Sequence, residues 1–104
     1  GVFKLHARRE SGEWEVFYVG QASNLYNTLL AYLGTIIEGD AEAAGINPCA
    51  KARIATSETA YSYAVVTDET ERLGCLRSLY EYYRPACNSP DQVPAVKGIA
   101  CNPN

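Results

Sequence analysis

The chain of 104 residues is 47% hydrophobic and 20% charged, which fits one domain around one core and excludes a multidomain machine. Eight Tyr, two Phe and one Trp against only eight Gly and five Pro exclude disordered, collagen-like and low-complexity classes. A formal charge of −3 supplies no global positive field to gather a polyanion, so any nucleic-acid binding must be local and weak.

Residues 1–9 set Phe3, Leu5 and Ala7 on one face against Val2, Lys4, His6 and Arg8 on the other, the period-two pattern of a half-buried strand. A polar connector containing Gly12 leads to residues 14–22, rich in aromatic and β-branched side chains, and the two segments read as a hairpin. Gly20 is expected to let the backbone turn out of the strand. Ser23 and Asn24 are N-cap types, and Leu25, Leu29 and Leu33 recur at helical spacing up to Gly34, which predicts a first helix. Residues 35–57 predict a short small-residue helix at 41–44 and otherwise a long loop. Residues 59–66 return to strand composition, and Asp68 and Glu69 then open a helix whose stripe is Leu73, Leu76, Leu79, Tyr80 and Tyr83, ended by Pro85. Tyr82 falls on the outward side. Residues 89–104, with Pro90, Pro94 and Pro103, read as a tail packed on the domain or partly disordered. The elements make an α+β domain.

Cys49, Cys75, Cys87 and Cys101 contain no C-x-x-C pair, and the chain has a single His, which argues against a zinc site. Four unpaired thiols are expected, with a Cys87–Cys101 bridge as the alternative in an oxidising compartment. No apolar stretch approaches the roughly 20 residues that span a bilayer, and no leader-like pattern opens the chain. The expected setting is therefore cytoplasmic with no membrane partner. The absence of Met, position 1 included, points to a piece of a longer chain.

Gly1-Val2-Phe3 opens the first strand, Tyr18-Val19-Gly20 closes the second and runs on through Gln21-Ala22-Ser23-Asn24-Leu25, and Arg84-Pro85-Ala86-Cys87-Asn88 follows the last helix. In this order the motifs resemble the two signatures and the closing P-x-x-N of the GIY-YIG nuclease domain, over residues 1–88. The resemblance implies a small three-stranded antiparallel sheet flanked by helices. It also implies metal-assisted phosphodiester hydrolysis, with strand tyrosines at the attacking water, an arginine on the phosphate and a glutamate on Mg²⁺ or Mn²⁺.

Carried over by position, Tyr18 and Asn88 keep the family's residue types. The first signature's tyrosine is Phe3, without a hydroxyl. The arginine position is Thr28, which makes no bidentate phosphate contact, and the glutamate position is Leu76, which ligates no metal. Gly20 stands in the second signature, while His6 and Arg8 on the first strand offer positive charge from a new direction. His6 is otherwise a solvent-facing strand residue, and Tyr18 an aromatic packed against the first helix whose hydroxyl can still face a cleft. The expected function is a non-catalytic binding module without cofactor, for nucleic acid or for a protein. The alternative is a divergent endonuclease with relocated catalytic groups, which needs Mg²⁺ or Mn²⁺.

Overall fold

The computed structural model describes residues 1–33, 46–93 and 101. Its elements run β1 (Val2–Arg8), β2 (Trp14–Gln21), α1 (Leu25–Tyr32), α2 (Pro48–Thr56), β3 (Thr59–Ala64) and α3 (Glu69–Tyr83), followed by a single 3-10 turn at Pro90–Gln92. The strands form one antiparallel sheet in the order β2-β1-β3, so the chain is a small α+β fold. The helix expected at 41–44 lies outside the described residues.

Because β1 is central, both of its faces are covered rather than one. Phe3, Leu5 and Ala7 pack with Phe17, Tyr32, Ala50 and Cys87 on the side of α1 and α2. Val2 packs with Val19 and with Cys75, Leu76, Leu79 and Tyr80 of α3 on the other side. The expectation of a half-buried strand fails at Val2, which is as buried as Phe3. That face joins a second core layer at Val2, while Lys4 and His6 further along it are half-buried.

A one-residue bulge in β2 decides what faces α1. Leu5 pairs with Tyr18 and His6 with Val16, leaving Phe17 as the extra residue. A bulge bends its strand and shifts the alternation by one. Phe17 and Tyr18 therefore both serve the α1 and α2 side, while Val16 and Val19 serve α3.

The helices start on side-chain caps, as the local chemistry requires. Asn24 accepts the Asn27 N–H at 3.1 Å, Asn47 accepts the Ala50 N–H at 2.9 Å, and Asp68 accepts the Glu71 N–H at 2.9 Å. Helix α2 replaces a stretch expected as loop: Asn47 caps it and Pro48 occupies its first turn, where a missing N–H costs nothing. In α1 the buried residues are Thr28, Ala31 and Tyr32. Leu33, expected on the packed stripe, is 67% exposed.

Helix α2 is tied to β2 through Glu15, whose carboxylate accepts from Arg9 Nη2 and from Arg53 Nη2 at 2.7 Å each. The Arg9 hydrogen bond, ahead of the charges of both guanidinia, holds that carboxyl below its ordinary range.

All four cysteines are bonded, which corrects the expectation of unpaired thiols. Cys49 joins Cys87 and Cys75 joins Cys101, so the alternative Cys87–Cys101 bridge is replaced as well. The first of α2's turns lies against the segment after α3, where Asn47 Nδ2 donates to the Cys87 carbonyl at 3.1 Å, and this brings Cys49 to Cys87. Val93 of the tail is buried in the α3 core layer.

Candidate functional site

A cleft of about 390 Å³ opens where the end of β2, helix α1 and helix α3 meet. Phe3, Tyr18, Gly20, Thr28, Leu76 and Asn88 all line it, so six of the eight residues singled out by sequence converge on one place. His6 and Arg8 do not. His6 Nε2 lies 2.9 Å from Ser62 Oγ across the sheet, and Arg8 pairs with Glu58 at 3.4 Å.

Gly20 holds its place for space rather than for a turn. It lies within β2, opposite Phe3, and a Cβ there would stand 2.5 Å from Phe3 Cζ and 3.0 Å from Tyr18 Cε2. The Phe3, Tyr18 and Tyr32 rings form a triangle with each pair of centroids 6.0 Å apart. The Tyr32 hydroxyl accepts the Asn47 N–H at 3.0 Å, its pKa is raised chiefly by burial, and its hydrogen bond with Tyr18 by itself lowers the Tyr18 pKa. Burial outweighs this bond and pushes Tyr18 above its ordinary value of 10. Tyr18 is thus a phenol that keeps its proton at neutral pH, a hydrogen-bond donor and not a base.

Asn88 is engaged with the backbone. Its Oδ1 accepts the Val19 N–H and its Nδ2 donates to the Val19 carbonyl, both at 2.9 Å. With Cys87 N–H bonded to the Phe17 carbonyl at 2.9 Å, this segment closes the outer edge of β2 in place of another strand. Asn88 shapes the cleft wall and leaves little of its amide for a ligand.

Arg72 is the functional group that the sequence pattern does not single out. It precedes Leu76 by four residues on α3, so the two share a face, and that spacing is the available sign. Its Nε donates to Gln21 Oε1 at 2.8 Å, and its Nη1 lies 3.5 Å from the carbonyls of Val66 and of Thr67. Among the described residues it has no ion-pair partner. Arg77, next to Leu76 on α3, is paired with Glu81 at 2.8 Å and does not line the cleft.

Among the described residues the polar lining is therefore one guanidinium together with the side chains of Tyr18, Gln21, Ser23, Thr28, Tyr32 and Asn88, with no carboxylate. A hard divalent cation wants anionic oxygen ligands, and the position that would supply one is the buried Leu76. These residues do not fit Mg²⁺ or Mn²⁺. Among the described residues no cluster of three His, Cys, Asp or Glu suits a metal elsewhere. No helix among the described residues is long and apolar enough to cross a membrane.

In comparison with known proteins, the chain matches no family model, no curated protein and no solved structure.

Proposed function

We propose that this chain is a non-catalytic binding module of GIY-YIG type, whose cleft receives a phosphate group of a nucleic acid. The observation that carries the reading is the lining of the cleft: the Arg72 guanidinium beside neutral polar side chains, with no carboxylate among the described residues that line it. A guanidinium is suited to bidentate phosphate contact, and Tyr18 adds a protonated hydroxyl. Hydrolysis lacks support, since a base must be deprotonated at working pH and the metal position is apolar.

With a net charge of −3 and one cation among the described residues of the cleft, affinity should be weak and its salt dependence shallow. The compartment belongs to the same proposal. Two disulfides favour an oxidising setting over the cytoplasmic one suggested by sequence.

The test is fluorescence anisotropy on labelled single-stranded and branched DNA at two salt concentrations, with Arg72→Gln beside the wild type. Incubation of supercoiled and branched DNA with Mg²⁺ or Mn²⁺ is run in parallel, with Tyr18→Phe as the control for a contaminating nuclease. The expected outcome is no cleavage, and binding that falls roughly tenfold or more without the guanidinium, as loss of a charge-assisted contact implies. Binding indifferent to Arg72 would remove the cleft from the account. Metal-dependent cutting abolished by Tyr18→Phe would establish the endonuclease alternative.

A further inference from the structure

Strand β3 is an edge of the β2-β1-β3 sheet. Its inner side pairs with β1 without a break, from Thr59 opposite Ala7 to Ala64 opposite Val2. No backbone bond from its outer side to any other described residue is present. Such an edge is a template for another strand, and proteins ordinarily blunt it with charge, proline, a bulge or a covering element. Here Thr59–Ala64 carries no charge, no proline and no bulge, and every residue from Ala60 to Ala64 is exposed. Tyr61 and Tyr63 are 54% and 61% exposed and stack on each other, with centroids 6.2 Å apart and planes at 26°.

The sequence of this edge says which strand fits it. Ala60-Tyr61-Ser62-Tyr63-Ala64 reads the same in both directions. In an antiparallel pair the residues directly opposite each other share a face and pack together. Two copies centred on Ser62 would set Tyr61 of one against Tyr63 of the other, Ala60 against Ala64, and Ser62 against Ser62. All four tyrosine rings then lie on one face. Residues 59–67 contain no ionisable acid or base other than these two tyrosines, so no like charges meet, and Glu58 falls opposite Val66. A two-fold axis through Ser62 satisfies the self-complementarity that an isologous interface demands.

We propose that a second copy of this chain is the partner of β3, and that the two form a dimer through one continuous six-stranded sheet in the order β2-β1-β3-β3-β1-β2. The contact is small, so the dimer is weak and concentration-dependent. This surface is separate from the cleft, and the proposal stands whatever the cleft binds.

Sedimentation velocity on the full chain, up to about 1 mM, tests it. The wild type is expected to shift from monomer to dimer as concentration rises. The variant Tyr61→Lys with Tyr63→Lys and the variant Tyr61→Glu with Tyr63→Glu are each expected to remain folded monomers, checked by circular dichroism. Their equimolar mixture is expected to dimerise, because the register sets each basic substitution against an acidic one. A wild type that stays monomeric overturns the proposal and leaves the edge to a strand of another protein. A dimer that survives in the basic variant overturns it too, as does a mixture of folded variants that fails to associate while the wild type does.

Discussion

A side chain at position 20 has nowhere to go, since a Cβ built there stands 2.5 Å and 2.8 Å from two atoms of the Phe3 ring. Gly20→Ala is therefore expected to destabilise the fold by about 1–3 kcal/mol, the usual cost of overpacking. Phe3→Leu vacates that volume, so the same glycine substitution made on top of it should cost clearly less. Urea unfolding of the four species closes this cycle, and an unchanged cost would show that Phe3 is not the obstacle. His6 makes a second prediction at this scale. Burial, with the neighbouring Lys4 charge as the lesser cause, lowers its pKa below the ordinary value of 6.5. The folded state then favours neutral imidazole, and the unfolded chain binds the proton first. The stability this confers is complete above the unfolded value and is lost as pH falls through the folded one. Thermal midpoints measured from pH 8 to pH 5 should fall in the wild type and fall less in His6→Gln. The Glu15 carboxyl, held below its ordinary value of 4.5 by Arg9, would lose its contribution only in stronger acid, so the two windows are separable. Phe3, Tyr18, Thr28 and Leu76, which line one cleft, could be singled out because motif order assigns each to a particular strand or helix. Arg72 was not singled out, since its one sign is its place four residues before Leu76 on the same helix face, a spacing that many surface arginines share.

Among the elements, the outer edge of β2 depends on a side chain. Asn88 supplies one acceptor and one donor to the Val19 backbone, so Asn88→Ala leaves both Val19 groups without their partners. A cost of about 1–3 kcal/mol is expected, the penalty for unsatisfied groups in a partly buried setting. Asn88→Asp should not rescue it, because a carboxylate faces the Val19 carbonyl where the amide donated. Hydrogen exchange gives the direct readout: the Val19 amide should be protected in the wild type and exchange much faster in Asn88→Ala, with little change at β1 amides that bond β3. Protection that survives in the variant would mean the edge is held by the Cys87 amide alone. The hairpin, β3 and α3 could be read from sequence, β1 and α3 by their periods and β2 and β3 by their aromatic and β-branched composition. Helix α2 lacks a period, as Ala50 is its only buried residue, and its legible sign was the Asn47-Pro48 pair at its start. The β2 bulge was illegible for a deeper reason. Residues 16–19 are an unbroken apolar run with no alternation to be interrupted, and only pairing with β1 reveals that Phe17 is the extra residue.

For the molecule as a whole, two covalent links supplement a core of limited size. Four cysteines allow three pairings, and spacing along the chain does not choose among them. The choice is made in three dimensions, where α2 delivers Cys49 to the segment after α3. Bridges spanning separations of 38 and 26 residues each remove unfolded-state entropy worth about 3.5–4 kcal/mol on the chain-closure account. In a small domain with a marginal net stability this is a large share. Alkylation of the denatured, unreduced chain should add no label, and reduction should admit four. Peptide mapping should link the Cys49 peptide to that of Cys87 and the Cys75 peptide to that of Cys101. A Cys87–Cys101 link would reverse the assignment. Replacing Cys49 and Cys87 together by Ala should lower the urea midpoint sharply. It should also weaken anion binding in the cleft, because Asn88, adjacent to Cys87, then holds Val19 from an untethered segment. Replacing Cys75 and Cys101 together should lower stability comparably and leave the Asn88 clamp in place. A first pair of substitutions that costs stability but spares Val19 protection would separate the bridge from the cleft wall.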